Sequence, residues 1–343
     1  MELPTYQYIC SDKSVLYPIF KKYLWAPVLP ALPAWLSPNT MTLWGNFFAW
    51  AGFAVCLVLK PEDSTWFIVP ALCNFLYMSF DNMDGMQARR ANRSSPLGEF
   101  LDHWGDSFNT GLLIFGYGIA MGMETWFLAI MLSFVCMAYF SCFWEQKVTG
   151  KLTFGTTGSI EGIMYIFVMY LLVAAFGHEA ICHQPLIGPL SLSNFMLIIV
   201  CSSFVMIIIS AIGRVGRNGT DFLGHVVAYL MLGAWFALGD LPFIAYGFIV
   251  VFAGAHLGGR VVISRVLGEE FKIGDPILYF LVAASMAVSL GAGLNAEQQT
   301  LATTPILAYL VFRLAADFTR TVSVLRHHLV PNEFLARWFP SQN

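Results

Sequence analysis

Apolar stretches of bilayer-spanning length recur along this chain, separated by short polar segments. A helix needs about 20 mostly apolar residues to cross the hydrocarbon core of a membrane. Ten runs meet that length, near residues 42–60, 65–81, 99–122, 125–144, 159–177, 194–212, 222–239, 242–259, 275–294 and 303–325. Before them, an amphipathic stretch from Tyr17 to Trp35 predicts a helix lying in the membrane interface. The pattern predicts an all-α, polytopic integral membrane protein with about ten transmembrane helices and an N-terminal interfacial helix.

Composition agrees with this interpretation. Of 343 residues, 57% are hydrophobic and only 11% are charged, and the mean hydropathy is +0.67, whereas soluble domains carry about 25% charge. The formal net charge of −3 provides no basic surface for a polyanion. We therefore expect lipids and small molecules as partners and no nucleic acid. No cleavage-site pattern precedes the first run, so no cleavable signal peptide is expected.

The basic residues are distributed unevenly over the ten-span topology. Fifteen of the 18 Lys and Arg residues fall at the two termini and in the loops after spans 2, 4, 6 and 8. Because positively charged loops stay in the cytosol, both termini are expected there. No internal repeat or long linker divides the chain, so residues 1–343 are interpreted as a single membrane domain.

Four carboxylates lie at the cytosolic ends of the second and third spans. Asp81 and Asp84 are three residues apart, Asp102 and Asp106 are four apart, and on helices each pair shares a face. At roughly 3 kcal/mol per Asp, burying all four at membrane depth costs on the order of 10 kcal/mol before repulsion. Cations must neutralise them, and an all-oxygen site favours Mg²⁺, Mn²⁺ or Ca²⁺ over Zn²⁺. A pair of such ions would suit displacement at phosphorus.

Small residues and an arginine accompany these carboxylates. Gly85 and Ala88 remove bulk from the Asp84 helix, so a nucleotide or diphosphate could approach its backbone. Arg89 offers a planar fork for phosphate. Gly98 lies four residues before Asp102 and keeps the same face of the third span open.

The arrangement D-G-x2-A-R-x8-G-x3-D-x3-D, with one more Asp three residues before it, resembles the motif of the CDP-alcohol phosphotransferases. The matching residues are Asp81, Asp84, Gly85, Ala88, Arg89, Gly98, Asp102 and Asp106. The surrounding sequences DGMQARR and SSPLGEFLDH, with SPN at 37–39, are similar to the choline/ethanolamine phosphotransferases in particular. One departure is Trp104, where a small residue is expected after the histidine.

This resemblance implies transfer of phosphocholine or phosphoethanolamine from CDP-choline or CDP-ethanolamine to diacylglycerol, using Mg²⁺ or Mn²⁺, with two ions expected. It implies metal ligation by the four aspartates, with substrate binding by Asn39, Asp81, Gly85, Ala88, Arg89, Gly98 and Glu145. It also implies a catalytic core at 35–212 and a four-helix extension at 213–343. The expected location is the endoplasmic reticulum or Golgi in a eukaryote and the inner membrane in a bacterium. Whether the chain forms a homodimer stays open.

Two residues are candidates for the base that removes the acceptor's proton, His103 and Asp106. A carboxylate beside a divalent cation is a weak base, whereas imidazole titrates near neutral pH. Glu99 lies four residues before His103, so the spacing predicts that its carboxylate accepts a ring N–H and orients the histidine. The resembling family carries the same Glu and His, which implies the same role.

Other interpretations were weighed against this one. A different alcohol, such as inositol or glycerol phosphate, would favour extra basic residues near the site. A divalent-cation transporter would need polar residues continuing through the membrane, and after Thr110 the third span is apolar. Separately, the spacing of Arg313, Asp317 and Arg320 on the tenth span predicts an internal ion triad that docks this helix.

Overall fold

The computed structural model describes residues 7–33, 36–156, 158–216, 221–239, 241–271, 274–329 and 333–339. Trp35, Arg217 and Lys272, which entered the interfacial and loop-charge predictions, lie outside these ranges. The helices are α1 (Tyr17–Phe20), α2 (Ala26–Val28), α3 (Pro38–Cys56), α4 (Ile68–Arg90), α5 (Pro96–Ala120), α6 (Thr125–Thr149), α7 (Ser159–Phe176), α8 (His178–Cys182), α9 (Leu192–Val215), α10 (Asp221–Leu238), α11 (Phe243–Val266), α12 (Pro276–Gly291), α13 (Ala296–Ala302) and α14 (Thr304–Leu325).

Shorter elements complete the described chain. Four brief strands form two small sheets, in which β1 (Cys10–Asp12) pairs in parallel with β2 (Leu152–Phe154) and β3 (Pro185–Ile187) pairs antiparallel with β4 (Leu190–Ser191). Lys21–Trp25 is a π-helical turn. The 3₁₀ turns are Leu29–Ala31, Pro61–Phe67, Arg326–His328 and Phe334–Arg337.

Each of the ten predicted apolar runs falls on one of the ten long helices of the described chain, so the all-α membrane architecture is confirmed. Five helical segments are long and apolar enough by themselves to cross a membrane: Thr125–Thr149, Ser159–Phe176, Leu192–Val215, Phe243–Val266 and Ala296–His328. The helices α4 and α5 fall short because the C-terminal end of α4 and the N-terminal half of α5 carry the charged motif residues.

The motif-bearing helices lie at the centre of the packing. The helix α3 packs against α4 and α5, while α11 packs against α5, α6 and α14. Serine caps set the starts of α3 and α5, because the side chains of Ser37 and Ser95 accept hydrogen bonds from the backbone N–H groups of Thr40 and Gly98. These starts fix which turn of each helix carries the polar motif residues.

The N-terminal stretch is helical without a gap from Tyr17 to Ala31, but its hydrogen-bond pattern changes along its length. It is divided into α1, the π-helical turn, α2 and a 3₁₀ turn, each of the last two containing a proline, Pro27 or Pro30, that lacks the N–H a continuous helix requires. Trp25 is fully buried, and the carbonyl of Leu29 accepts a 3.0 Å hydrogen bond from Arg90 Nη1. The segment is therefore anchored to the end of α4.

The predicted ion triad on the tenth span is wrong. Arg313 Nη2 lies 3.6 Å from Asp317 Oδ1, but Arg320 forms its ion pair with Glu269, and its side chain is 53% exposed. Spacing along one helix identifies a shared face but not the partner that another segment brings to that face.

A different polar network joins the C-terminal helices. The Oδ2 atom of Asp275 lies 2.8 Å from His256 Nε2 and accepts a 2.7 Å hydrogen bond from Tyr309. Its Oδ1 atom accepts from the backbone N–H groups of Ile277 and Leu278 and so caps α12. This network ties α11, α12 and α14 together through one carboxylate.

Trp104 fits because of a glycine on the facing helix. A Cβ atom placed at Gly259 of α11 would lie 2.8 Å from Trp104 Cδ1. The indole packs against the rings of Phe108 and Phe318, with centroids 5.1 Å away in each case. The departure from the expected small residue is thus matched by missing bulk on α11.

Candidate active site

Three of the predicted carboxylates converge where the C-terminal half of α4 and the N-terminal half of α5 meet. Asp81, Asp102 and Asp106 each offer an oxygen, and these atoms all lie within 4.8 Å of one another. Tyr77 donates a 2.6 Å hydrogen bond to Asp106 Oδ1 and so orients that carboxylate. Within the described ranges, no Lys or Arg forms an ion pair with any of the three. The all-oxygen donor set fits a hard divalent cation.

Asp84 lies outside this three-carboxylate group. Its side chain is buried and accepts a hydrogen bond from the hydroxyl of Thr42 on α3. The sequence motif grouped Asp84 with the other three aspartates because i,i+3 spacing places it on the face of Asp81, but it could not reveal Thr42, which lies 42 residues away.

The predicted phosphate-binding residues of α4 lie near its C-terminal end. Arg89 is exposed, and its guanidinium folds back over the preceding turn, since a Cβ atom built on Gly85 would lie 3.4 Å from Arg89 Nη1. Ala88 is half-buried beside it. A larger residue at 85 would push the guanidinium away from the helix, so the glycine determines where this cation lies.

Asn39 and Gly98 adjoin each other on α3 and α5. A Cβ atom on Gly98 would lie 3.4 Å from Asn39 Oδ1. Asn39 Nδ2 donates to both carboxylate oxygens of Glu333, at 3.0 and 3.2 Å. Glu333 is buried and belongs to the C-terminal segment, 294 residues away in sequence. No sequence pattern indicated this contact.

His103 is buried directly beside the carboxylate group. Its Nε2 atom lies 3.6 Å from Asp102 Oδ2, and its ring centroid is 4.7 Å from that of Phe143. The hydroxyl of Tyr139 donates to the backbone carbonyl of His103 and fixes this turn of α5. The imidazole therefore lies beside Asp102, one member of the three-carboxylate group.

The predicted hydrogen bond between Glu99 and His103 does not form in this conformation. Glu99 Oε1 lies 3.8 Å from His103 Nδ1, which is beyond hydrogen-bond range. The same oxygen forms an ion pair with Arg265 of α11 and accepts a 3.4 Å hydrogen bond from Gln146. The carboxylate is oriented by a residue 166 positions away, which local spacing could not identify.

Glu145, predicted to bind substrate, has both carboxylate oxygens engaged. Arg214 donates from Nε to Oε1 at 2.6 Å and from Nη2 to Oε2 at 2.7 Å. Glu145 is buried on α6, and Arg214 is partly exposed at the end of α9. In this conformation Glu145 joins two helices by a two-point ion pair, and it is Arg214 that faces the adjoining cavity.

A cavity of about 580 Å³ leads away from the carboxylate group. Asp81 and Asp106 lie at its wall together with Tyr77 and Tyr139, and Arg214 lines another part. The remaining lining comes mainly from apolar side chains of α5, α6, α7 and α9, among them Leu113, Val135, Ile163, Ile166, Ile199 and Phe204. The site thus combines a polar cluster with an apolar chamber of the size that ligand pockets have.

Comparison with known proteins agrees with these features. A sequence profile described as CDP-alcohol phosphatidyltransferase matches residues 35–212. Cholinephosphotransferase 1 of Gallus gallus is 33% identical over 268 residues, covering 72% of this chain and 76% of that protein. Choline/ethanolaminephosphotransferase 1 of Saccharomyces cerevisiae is 29% identical over 308 residues, covering 79% of this chain and 78% of that protein. Cholinephosphotransferase 1 of Homo sapiens is 32% identical over 242 residues, covering 66% and 58%.

Proposed function

The chain belongs to the CDP-alcohol phosphatidyltransferase family, and on that premise we propose that it transfers phosphocholine or phosphoethanolamine from the CDP ester to diacylglycerol. The products are phosphatidylcholine or phosphatidylethanolamine, and CMP. The observation that carries this proposal is the three-carboxylate group at the wall of an apolar cavity. A polar diphosphate and a lipid hydroxyl can meet only where such environments adjoin.

Asp81, Asp102 and Asp106 are the proposed ligands of a divalent cation, Mg²⁺ or Mn²⁺. For two ions, three carboxylates supply few ligands, so Asp84 is retained as the fourth, oriented by Thr42. A bound cation neutralises diphosphate charge and stabilises the CMP leaving group. Tyr77 keeps Asp106 directed into the site by its 2.6 Å hydrogen bond.

The CDP ester is proposed to bind at the cytosolic ends of α3, α4 and α5. Arg89 supplies the planar cation for the diphosphate, and Gly85 and Ala88 leave room for it beside α4. Asn39 and Gly98 form the neighbouring wall for the nucleotide. Binding there requires Asn39 to exchange its hydrogen bonds with Glu333 for contacts with substrate.

Diacylglycerol is proposed to occupy the apolar cavity, with its hydroxyl directed toward Asp81 and Asp106. The mainly apolar lining supports a lipid acceptor over inositol or glycerol phosphate, because acyl chains gain most from burial against apolar side chains. The Ser, Thr and Arg214 side chains in the same lining can contact the polar glycerol part of the lipid. The helix α9, which lines one wall, is mostly exposed, as expected for a helix that faces lipid.

His103 is the proposed general base, with Asp106 as the alternative. The lipid hydroxyl oxygen forms a bond to the β-phosphorus, its proton passes to the imidazole, and the bond to the bridging oxygen breaks so that CMP leaves with the electron pair. The 3.6 Å distance between His103 Nε2 and Asp102 Oδ2 supports this role, since it brings the ring next to the carboxylates.

The catalytic unit is proposed to be residues 35–212, with the site and both termini on the cytosolic side of the membrane. The location of Arg89 and Arg90 in the last turn of α4 and of Lys147 in the last turn of α6 supports this topology, because basic residues favour the cytosolic side. Membrane lipids surround the helices, and a homodimer would be compatible with the exposed helix faces.

The decisive experiment measures CMP release and labelled lipid formation by the purified full chain. Radiolabelled CDP-choline or CDP-ethanolamine is supplied with diacylglycerol and Mg²⁺, and Asp106→Asn serves as the inactive variant. Asp63→Asn is the matched control, because Asp63 is exposed in the Pro61–Phe67 turn. The proposal is supported if labelled lipid forms with the parent and with Asp63→Asn but not with Asp106→Asn. Turnover that occurs only when inositol or glycerol phosphate replaces diacylglycerol would assign a different acceptor.

A further inference from the structure

Arg265 contacts α5, the helix that carries His103, from outside the segment that the family profile matches. It lies in the last turn of α11, whereas the profile ends at residue 212. Its guanidinium pairs with Glu99 of α5, whose side chain is only 2% exposed, while that of Arg265 is 15% exposed. A buried carboxylate at this depth depends on its cation, because removing one partner of a buried pair is strongly unfavourable.

The carboxylate that Arg265 holds adjoins the proposed base. Glu99 Oε1, the oxygen paired with Arg265, lies 3.8 Å from His103 Nδ1. Within the described residues, this ring nitrogen has no hydrogen-bond partner. The other ring nitrogen faces Asp102 at 3.6 Å. A shift of Glu99 by about 1 Å would bring its oxygen within hydrogen-bond range of Nδ1.

We propose that Arg265 is a positioning residue for His103 and acts through Glu99. By holding the Glu99 carboxylate, Arg265 prevents it from pulling the imidazole away from Asp102 and the reacting phosphate. This inference rests on the proposed function, since it assigns His103 to that reaction. It also means that α11 is part of the working active site.

The proposal predicts that the effect of losing Arg265 depends on the negative charge of Glu99. When glutamine replaces Arg265, Glu99 remains as a buried carboxylate that has lost a cation, and His103 Nδ1 lies 3.8 Å from it. A stronger contact with Nδ1 would move the ring, and displacement of a reacting group by about 1 Å costs about 10²-fold in rate. When Glu99 is also replaced by glutamine, the uncompensated charge is gone and the ring is released.

Arg265 has a second contact that a purely structural role would emphasise. Its Nη2 atom donates a 2.9 Å hydrogen bond to the backbone carbonyl of Gln7 and ties the N-terminal segment to α11. If Arg265 acted only through this tether, the state of Glu99 would be irrelevant to the effect of its loss.

The test compares Arg265→Gln, Arg265→Lys, Glu99→Gln and the double variant Glu99→Gln/Arg265→Gln, all in the full chain. Measured quantities are kcat, the KM for CDP-choline and the melting temperature in detergent. Arg320→Gln is the control, because Arg320 also lies in the C-terminal part and its ion pair is with a different glutamate, Glu269.

We expect Arg265→Gln to lose about 10²-fold in kcat with an unchanged KM for CDP-choline. Arg265→Lys should recover part of the loss, and the double variant should be at least tenfold faster than Arg265→Gln. A double variant no faster than Arg265→Gln, or a loss expressed in KM alone, would overturn the inference. If Arg265→Gln does not fold, the double variant is compared with Glu99→Gln: an equal kcat is expected if Arg265 acts through Glu99, and a much lower kcat in the double variant would overturn the inference. Absence of CMP release by the parent would instead overturn the proposed function.

Discussion

Two acidic sites in this protein are built in opposite ways. At the ends of α4 and α5, three carboxylates lie within 4.8 Å of one another and, in the described chain, form no ion pair with Lys or Arg. At the start of α12, a single carboxylate, Asp275, receives donors from His256, from Tyr309 and from two backbone N–H groups. The first site concentrates negative charge, whereas the second provides its single carboxylate with four hydrogen-bond donors.

The contrast indicates what each site is for. Buried polar groups in proteins are almost always hydrogen-bonded, so Asp275 can be understood as a structural link between helices. Uncompensated carboxylates at membrane depth are expensive and imply a ligand that supplies the missing charge. The difference teaches that the candidate catalytic site and the scaffold site are separated by the number of donors that reach each carboxylate and also by burial, since Asp275 is buried and the three clustered aspartates are half-buried.

The largest effect should come from neutralising one of the three clustered carboxylates. Asp81→Asn, Asp102→Asn or Asp106→Asn should each reduce turnover by at least about 10²–10³-fold, because electrostatic stabilisation of the leaving group is lost. Their melting temperatures without metal should be equal to or above the parent's, since repulsion among the carboxylates falls. Turnover assays and thermal unfolding test this directly. A substantial loss of melting temperature would mean that the group is structural, like Asp275.

Removing the proposed base should have the next largest effect. His103→Ala should lose about 10²–10⁴-fold in kcat, the typical contribution of general base catalysis, while affinity for the CDP ester is retained. The measurement is kcat together with direct binding of CDP-choline. Near-parental kcat would transfer the role of base to Asp106.

Replacing Asp275 should change the stability of the fold and leave turnover unchanged. Asp275→Ala should lower the free energy of unfolding by about 2–4 kcal/mol, because it removes the α12 cap and the partner of buried His256. Asp275→Asn is the matched control, since asparagine still caps a helix. Activity per folded molecule should be unchanged in both. A specific loss of turnover would join this network to the active site.

The pH dependence of this stability has a definite sign. Burial alone would raise the pKa of Asp275, but hydrogen bonds from His256, Tyr309 and the Leu278 backbone bring that pKa below its ordinary value. Its contribution is therefore complete above the unfolded pKa of about 4 and is lost only as the pH falls toward the lower folded value. Between pH 5 and 8, the stability difference between parent and Asp275→Ala should be constant with respect to this carboxyl.

The smallest effect is expected at an exposed pair. Arg320→Gln breaks the contact with Glu269, but the arginine side chain is 53% exposed, so solvent screening limits the loss to about 0–1 kcal/mol. Thermal unfolding and turnover should both be close to those of the parent. A large change at Arg320 would show that ion pairing by itself, and not burial, determines which acidic residues matter.

The sequence was sufficient for features encoded within a few residues. Apolar length predicted the ten long helices, and the spacing of Asp81, Asp102 and Asp106 predicted their convergence. Such features follow from helix geometry, because residues three or four apart share a face. For the same reason, His103 could be assigned to the stripe beside the carboxylates.

Pairings between distant segments were beyond reach. Glu99 was assigned to His103 and Arg320 to Asp317 because these residues are near neighbours on one helix, yet their partners are Arg265 and Glu269. Glu145 was expected to contact substrate, whereas Arg214 engages it from 69 positions away. The partner of a charged side chain depends on how the helices pack, and the spacing of residues along one helix does not specify that packing.

The contact between Trp104 and Gly259 limits the order in which this protein can change over evolutionary time. Any side chain gained at 259 collides with the indole, since even a Cβ atom would lie 2.8 Å from Trp104 Cδ1. A smaller residue at 104 would first have to open the space, leaving a cavity of the kind that costs 3–5 kcal/mol for Trp→Ala. Descendants of this sequence can therefore exchange the large and small residue between α5 and α11 only by passing through a less stable ancestor.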